Sequence, residues 1–271
     1  YDKNRTLGIS KTNIDYLNSE IINIKKILWE IKKIKIFTEK DTKKEILKFD
    51  DENSQIFSII RNHQLQKLLI NKLKNSKLIK FKSNLKNLNV NKDLYNLIIH
   101  CDPTHIFTKK FFSKKIEKNY YSLAYTTTIT HSKIINNTAF QNFTKNGPLA
   151  FLPISESETS VVYSFRSLNK KKTYEMNNLI KKYNPIYSIK KINNWKSFEL
   201  RLTNLRNYYK NNILAFGDLL HKIHPLAGQG FNMSLRDIKL LSNLIDERMN
   251  LGLELDSSIC QEFQKKFKIK I

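Results

Sequence analysis

The sequence predicts a mixed α/β fold with α+β character, and three observations lead to it. Apolar residues recur at helical spacing in residues 12–29 and 231–245. Residues 120–130 are rich in Tyr and Thr, which favour strands over helices. Residues 213–216 form a short apolar run that predicts a buried strand directly before a helix.

The elements follow in chain order from the same patterns. The helix over 12–29 has Thr12 or Asn13 as its predicted N-cap, and residues 58–75 predict a strand end followed by a helix. Strands are predicted at 31–38, 44–49, 78–90, 95–99, 120–130, 138–143, 147–154, 160–165 and 213–216. Further helices are predicted at 173–183, 231–245 and 257–267, with a loop at 251–256.

Composition limits the class of protein. The chain has 271 residues, enough for one large or two small domains, and its formal net charge is +24. Lysines are spread along the whole chain among Asn and Ile, which indicates compositional bias rather than a nucleic-acid-binding surface. Loose attraction to anionic lipid stays open, at roughly 1 kcal/mol for each basic residue close to the surface. No apolar run is long enough for a transmembrane helix.

The ends and the cysteines give weaker indications. The chain begins with Tyr1 rather than Met, so we expect an N-terminally incomplete sequence, and the C-terminus is also expected to be short. Cys101 and Cys260 are far apart, which predicts neither a disulfide framework nor a metal site, and favours a reducing compartment. We therefore expect a cytoplasmic protein, and peripheral attachment to the inner membrane is left open.

Residues 212–237 differ in composition from the rest of the chain. They hold three of the six glycines and two of the six histidines. Gly217 allows close approach of a ligand to the backbone, and Asp218 can accept hydrogen bonds from ribose-like hydroxyls. The helix after Gly230 presents free N–H groups and a positive dipole end. This stretch predicts a site for an electron-rich ligand at a strand end and a helix start.

The pattern G-D…H…H-P-L-A-G-Q-G-x-N…R-D over 217–237 resembles the C-terminal flavin motif of FAD-dependent aromatic hydroxylases. It is most similar to the ubiquinone-biosynthesis hydroxylases, relatives of para-hydroxybenzoate hydroxylase. The resemblance implies a para-hydroxybenzoate hydroxylase-like FAD-binding fold that lacks its first βαβ unit and carries an antiparallel-sheet substrate domain. The cofactor-binding residues it implies are Arg5, Asn62, Gly217, Asp218, His224, Pro225, Gly228, Gly230, Phe231 and Asn232.

Some of these assignments have an alternative that the sequence leaves open. Arg5, with Ser10, resembles a family element in which an arginine reaches the FAD phosphates, but a surface arginine before a helix would look the same. Asn62 matches a polar residue near the flavin ribityl chain, and it could also be a helix N-cap. The run over 147–154 resembles the strand that roofs the substrate pocket. It implies substrate contact by Phe151, Pro153 and Tyr163, while packing in a core hairpin is equally open for Phe151 and Tyr163.

One element departs from the family pattern. Asp102 and Lys109 match positions of G-A-D-G-x-x-S-x-x-R, but His100 and Pro103 replace its glycines. Proline removes an N–H and a larger residue keeps the backbone away from a cofactor. A rival interpretation, a metal site formed by the His, Cys and Asp residues of 100–105, lacks a second ligand pair downstream.

The resemblance also implies a domain plan and a function. Residues 1–110 would form the first part of the FAD-binding domain, with strands near 31–55 joining the substrate sheet. Residues 111–204 would form that substrate sheet, and 205–271 the C-terminal part of the FAD-binding domain. The implied enzyme uses FAD, NAD(P)H and O₂ to hydroxylate an aromatic, prenylated ubiquinone precursor through a flavin hydroperoxide, with a quinone-biosynthesis complex as a partner.

Two interpretations of the departures remain open. The chain has no G-x-G-x-x-G, the loop that cradles the ADP half of FAD, and the family carries that loop before the position of Tyr1. A fragment of a complete hydroxylase would explain its absence. A degenerate, non-catalytic relative in quinone biosynthesis would explain the altered residues around Asp102. The sequence predicts no nucleophile and no acid–base pair, so the catalytic residues are left unassigned.

Overall fold

The computed structural model of the protein describes residues 5–39, 44–50, 55–82, 95–166, 172–222 and 229–268. Within these ranges the strands are β1 (Thr6–Ser10), β2 (Leu28–Ile31), β3 (Lys33–Thr38), β4 (Leu47–Asp50), β5 (Phe57–Arg61), β6 (Ile98–His100), β7 (Lys115–His131), β8 (Thr138–Thr144), β9 (Gly147–Ser155), β10 (Glu158–Phe165), β11 (Ile189–Ile192), β12 (Lys196–Leu205), β13 (Tyr209–Lys210), β14 (Ile213–Ala215) and β15 (His221–Lys222). The α-helices are α1 (Lys11–Tyr16), α2 (Asn62–Lys74), α3 (Ile106–Phe111), α4 (Thr173–Tyr183), α5 (Gln229–Asn250) and α6 (Ser257–Lys268).

The chain divides into two compact units, each built from two stretches of sequence. The first unit comprises Tyr1–Ser76 and Tyr120–Leu200, and the second comprises Lys77–Asn119 and Arg201–Ile271. Strands β3 and β4, near the predicted 31–55 region, belong to the large sheet of the first unit.

The first unit is built on a sheet with the strand order β4-β3-β8-β9-β10-β7, and β11 also pairs with β7. Side chains alternate between its two faces because successive residues of a strand point in opposite directions. One face carries large side chains, including Leu149, Phe151 and Tyr163, which pack against Met176 and Ile180 of α4. This aromatic and aliphatic layer is the main core of the unit.

The opposite face of that sheet is covered in part by a small antiparallel sheet with the order β1-β5-β2. Ile31 and Ile59 of the small sheet cluster with Ala139 and Ile154 of the large one. Polar contacts fix the two sheets at one end. The hydroxyl of Thr6 donates to that of Ser160 at 3.1 Å, and Arg61 forms an ion pair with Glu158 at 2.5 Å.

The second unit contains the predicted buried strand. β14 pairs in parallel with β6 and antiparallel with β13, and its three residues are all buried, as the apolar run predicts. Leu214 packs with Leu241 of α5 and with Phe263 of α6 in one cluster. The helices predicted at 231–245 and 257–267 are therefore confirmed, and α5 is longer than the pattern predicts.

The prediction of one helix over 12–29 is wrong. The α-helix ends at Tyr16 and continues only as a π-helical turn, Leu17–Ile21. Ser10, not Thr12 or Asn13, occupies the N-cap position. The Asn18 side chain then accepts a hydrogen bond from the backbone N–H of Ile24 at 2.8 Å, which turns the chain. Residues 28–31 become β2 because they pair with β5, so tertiary pairing overrides the helical spacing of the apolar residues.

The strand predicted at 78–90 is also wrong in its described part. Residues 78–82 form no strand, and the side chain of Leu78 is 95% exposed. Residues 83–90 lie outside the described residues. Of the predicted strand at 95–99, only the end belongs to β6. The other predicted strands and α4 are confirmed, with ends shifted by a few residues, although Lys32 separates β2 from β3.

Candidate functional site

The turn after β14 presents backbone rather than side chain. Residues 217–219 form a 3-10 turn, and Gly217 has a positive φ of +63° that favours glycine. Among the described residues, a Cβ placed on Gly217 would meet no atom within 4 Å, so packing against them leaves room for a side chain. Asp218 is exposed beside it, and Leu219 is buried and anchors the turn. The turn thus offers an open backbone surface next to an exposed carboxylate.

The same sheet edge carries the altered element around Asp102. Because β6 and β14 are parallel, the residues that follow them emerge at one edge, and the N–H of Phe216 donates to the carbonyl of His100 at 2.9 Å. Asp102 accepts hydrogen bonds from the N–H and the hydroxyl of Thr104, each at 2.7 Å. These hydrogen bonds hold the pKa of the Asp102 carboxyl below its usual range. Its carboxylate is therefore already used to order the turn before α3.

His100 has a packing role in this element. Its Nε2 lies 2.8 Å from the hydroxyl of Thr108, and its ring stacks on Phe112 with centroids 6.1 Å apart. Burial lowers the pKa of His100, which keeps the ring neutral near pH 7. Among the described residues, no three His, Cys, Asp or Glu side chains are grouped so that they could hold a metal ion.

The first turn of α5 also presents open backbone. Gly230 is the second residue of this 22-residue helix, and a Cβ on it would meet no atom of the described residues within 4 Å. Phe231 and Asn232 are partly buried in the same turn. The first N–H groups of a helix have no intrahelical partner and lie at its positive end, which suits an anionic or electron-rich ligand. The predicted contacts His224, Pro225 and Gly228 lie outside the described residues.

A buried contact that the sequence reasoning missed joins β15 to α5. Nε2 of His221 lies 2.5 Å from a carboxylate oxygen of Asp237, and both side chains are almost fully buried. The sequence indicated His221 only as one of the two histidines in the compositionally unusual residues 212–237. No local spacing in the sequence identifies the pair, because the two residues are 16 positions apart and meet only through the packing of α5 on β15.

In the first unit, the structure brings together Arg5 and Asn62. The backbone N–H of Asn62 donates to the carbonyl of Arg5 at 3.0 Å, at the ends of the paired strands β1 and β5. The Arg5 side chain is exposed and Asn62 is half-buried. Arg61 holds the N-cap position of α2, so the alternative role of Asn62 as an N-cap is wrong. Cofactor contact by Arg5 and Asn62 stays a prediction.

The predicted substrate residues lie on the packed face of the large sheet. Phe151 and Tyr163 are at most 1% exposed and belong to the core beneath α4, so both have the packing role that the sequence left open. Pro153 is buried on the same face, two residues beyond Phe151. Substrate contact by these three residues stays a prediction.

The opposite face of the same strands carries smaller side chains. Thr126, Val162 and Ala150 are cross-strand neighbours there, and all three are small and partly exposed. Their alternation with Tyr125, Tyr163 and Phe151 along the strands was visible in the sequence. A flat ring can lie against a face of such small side chains, which the packed aromatic face does not allow.

Comparison with known proteins places these features in context. No family model matches the chain. Over 70 residues it is 34% identical to the mitochondrial ubiquinone biosynthesis monooxygenase of Dictyostelium discoideum. This matched region covers 26% of this chain and 14% of that protein. Over 186 residues it is 24% identical to the corresponding Xenopus tropicalis protein, covering 54% of this chain and 40% of the relative. The chain is homologous to the ubiquinone-biosynthesis monooxygenases.

The chain spans less than half the length of these ubiquinone-biosynthesis monooxygenases. Its fold is similar to the crystal structure of a probable FAD-dependent monooxygenase from Pseudomonas aeruginosa, with a TM-score of 0.71 and 12% sequence identity. That match covers 98% of this chain and 82% of the other. The predicted class, a mixed α/β fold of the FAD-dependent aromatic monooxygenase type, is thereby confirmed. No helix among the described residues is long and apolar enough to cross a membrane.

Proposed function

We propose that this protein is an FAD-dependent aromatic-ring monooxygenase that hydroxylates a prenylated ubiquinone precursor. The observation that carries the proposal is the open backbone at Gly217 and at Gly230, where a Cβ would meet no atom of the described residues within 4 Å. Both belong to the motif through which the chain resembles the hydroxylases, and its homologues are named as ubiquinone-biosynthesis monooxygenases.

The residues of this chain fit the cofactor in two ways. Asp218 would accept hydrogen bonds from cofactor hydroxyls, and backbone N–H groups at the start of α5 would stabilise the electron-rich edge of the flavin. His224, Pro225 and Gly228 keep their predicted role in the same motif, and Arg5 and Asn62 keep theirs in the first unit. Bound FAD would supply the oxygen-transfer chemistry, with NAD(P)H as the electron donor and O₂ as the oxygen source.

The substrate ring would lie against the sheet face that carries Thr126, Ala150 and Val162. Their small side chains leave room for a planar ring, and Val162 is flanked by the other two across the sheet. The role of the protein is then to orient the ring and to exclude water. We assign no nucleophile and no acid–base pair of this chain to the reaction.

The test is the variant Gly230→Ala, because this substitution should keep or raise the thermal stability while it weakens FAD binding. Alanine favours a helix over glycine by up to about 1 kcal/mol, so the melting temperature should stay the same or rise. A methyl group at the cofactor surface should weaken FAD binding by roughly tenfold or more, since it blocks close approach. Titration of the apoprotein with FAD, followed by flavin fluorescence, measures the affinity. The matched control is Asn243→Ala, an exposed position of the same helix; equal affinity in both variants would overturn the proposal.

A second candidate function has its own observation. Pro103 follows Asp102 where the family pattern has glycine, and the Asp102 carboxylate is occupied by Thr104. A protein that binds FAD but does not oxidise NAD(P)H would fit this altered element. NAD(P)H consumption and product formation with the FAD-loaded protein distinguish the two candidates: binding without either activity favours the non-catalytic relative.

We also propose that the protein attaches to an anionic membrane surface through residues 77–82, here called the 77–82 segment. Three lysines alternate there with Leu78, Ile79 and Phe81, and all six side chains are exposed. Residues 53–92 contain eight lysines and one arginine but no Asp or Glu, so no acidic neighbour in sequence offsets the charge. Exposed apolar side chains among lysines suit the boundary between lipid headgroups and acyl chains. A prenylated substrate dissolves in that same bilayer.

A further inference from the structure

The structure contains a buried polar contact that the proposed function does not use. Nε2 of His221 lies 2.5 Å from Oδ2 of Asp237, and the two side chains are 3% and 5% exposed. His221 belongs to β15, which pairs with the end of β12 at Asn204. A further backbone hydrogen bond of 3.0 Å, from Leu205 to the carbonyl of Leu220, holds the residue before it. The position of the imidazole is thus set by the backbone of a strand pair.

A third element fixes the plane of the ring. Phe267 of α6 stacks on His221 with centroids 5.4 Å apart and an angle of 27° between the planes. Phe267 is itself held edge-on by Tyr208 at 5.3 Å. Nδ1 of His221 is buried and has no hydrogen-bond partner among the described residues, so Asp237 makes the one polar contact that orients the ring there.

The pair links the two open backbone surfaces of this unit, the turn at Gly217 and the first turn of α5. His221 follows Gly217 by four residues (221 − 217) and is linked to it through the turn. Asp237 lies eight residues after the start of α5 (237 − 229), about 12 Å along a helix axis. Because a helix is a rigid rod over that length, fixing Asp237 also fixes the direction of the first turn at Gly230.

We propose that His221 and Asp237 form a positioning pair that holds the Gly217 turn and the first turn of α5 in the arrangement that FAD requires. The proposal rests on the proposed function, because it assigns the pair a role in cofactor binding. Nε2–H donates to the carboxylate, and neither side chain is assigned a contact with the cofactor. The pair acts on FAD only through the backbone that it fixes.

The test compares four variants of the protein. His221→Leu and Asp237→Leu each remove the hydrogen bond, and both should weaken FAD binding by roughly tenfold or more. The double variant should be no weaker than either single one, because the partners act as one unit. Asp237→Asn keeps an acceptor for Nε2–H and should bind FAD within about threefold of the unsubstituted protein.

A second measurement separates positioning from general loss of stability. Leu244→Ala removes a fully buried side chain from the same core and should lower the melting temperature without changing FAD affinity. Hydrogen exchange of the apoprotein should rise over residues 229–236 in His221→Leu but not in Leu244→Ala. This readout needs no cofactor, so it applies even to a variant that no longer binds FAD.

The outcomes distinguish the two proposals. If the unsubstituted protein binds no FAD, the proposed function fails, and unchanged hydrogen exchange over 229–236 would separately overturn the positioning role. If the protein binds FAD and the Leu variants bind it equally well, only the positioning pair is wrong. Additive losses in the double variant would also contradict it.

Discussion

Tyr187 shows how a single buried hydroxyl affects stability. Its hydroxyl donates to Oδ1 of Asn136 at 3.2 Å, and its ring lies 4.5 Å from that of His131, all within the first unit. Asn136 in turn donates to the carbonyl of Ser155 at 2.7 Å. Burial raises the pKa of Tyr187 to about 12. The residue therefore contributes both a hydrogen bond and a dependence of stability on pH.

The first prediction is made for Tyr187→Phe. At pH 7 the free energy of unfolding should fall by about 1–3 kcal/mol, because the buried Asn136 oxygen loses a donor. The folded state holds the phenol proton more tightly than the unfolded state, whose pKa is near 10. The protonated phenol of Tyr187 therefore makes its full contribution to the free energy of unfolding below about pH 10. That contribution is lost as the pH rises toward 12, by up to about 1.4 kcal/mol per pH unit.

Urea unfolding at pH 7 and at several values above pH 10 measures both effects. The phenylalanine variant should lose less stability across the alkaline range than the unsubstituted protein. Tyr174→Phe is the matched control, because Tyr174 is 62% exposed and should change neither quantity. Identical alkaline slopes for all three proteins would contradict the prediction.

Individual residues show which parts of the site the sequence can and cannot indicate. The cofactor role of Gly217 and Gly230 stays a prediction; among the described residues a Cβ on either would meet no atom within 4 Å, and the positive φ of Gly217 also favours glycine. Phe151 and Tyr163 were open between core and substrate contact. An aromatic side chain serves either, and only the position of α4 shows that both are packed. His221 was missed because its partner depends on how α5 folds back.

At the scale of elements, the hairpin of β9 and β10 depends on the glycine at its start. Gly147 has a φ of +140°, and a Cβ there would overlap the carbonyl oxygen of Ser164. Gly252, in the connection between α5 and α6, also has a positive φ, +66°, but open space around it. A comparison of substitutions at the two glycines therefore distinguishes the cost of a steric clash from the cost of backbone strain alone.

The second prediction compares Gly147→Ala with Gly252→Ala. Gly252→Ala should lower the free energy of unfolding by about 1 kcal/mol, because alanine is strained at positive φ. Gly147→Ala should cost at least about 2–3 kcal/mol more, since backbone atoms must move apart as well. Chemical unfolding of both variants measures the difference. Similar losses would show that the β9 strand start can relax around a methyl group.

Elements were predictable where local pattern and tertiary environment agree. The strands predicted at 138–143, 147–154, 160–165 and 213–216 all formed close to the expected bounds. The failure over 12–29 has a physical cause: apolar residues at helical spacing also suit a strand when a partner such as β5 is available. The failure at 78–82 is similar, because apolar residues among lysines indicate a strand only if a partner is present.

At the scale of the whole molecule, helical and strand patterns predicted the mixed α/β class, and the resemblance of one motif implied its flavin-dependent hydroxylase type. The predicted domain limits at 110 and 204 stay a prediction, and the two compact units interleave in sequence. Such interleaving cannot be derived from local patterns, because it depends on which distant strands pair. The net charge of +24 was attributed to compositional bias, yet the 77–82 segment combines charge with exposed apolar side chains.

The third prediction tests whether that segment or total charge drives binding to anionic lipid. Replacing Lys77, Lys80 and Lys82 by Ser lowers the net charge from +24 to +21 (24 − 3). At roughly 1 kcal/mol per lysine, binding to vesicles that contain phosphatidylglycerol should weaken on the order of a hundredfold. Leu78→Ser with Phe81→Ser leaves the charge unchanged and should also weaken binding, because the apolar part of the contact is lost.

Co-sedimentation with vesicles measures these affinities, with phosphatidylcholine vesicles as the uncharged comparison. The matched control replaces Lys181, Lys190 and Lys191, three exposed lysines elsewhere, and gives the same net charge of +21 (24 − 3). If total charge drives binding, the control should lose as much affinity as the lysine variant of the segment. If the segment drives it, the control should bind nearly as the unsubstituted protein does. The apolar double variant decides the remaining point: unchanged affinity there would mean that lipid attraction is electrostatic only and that Leu78 and Phe81 do not enter the bilayer.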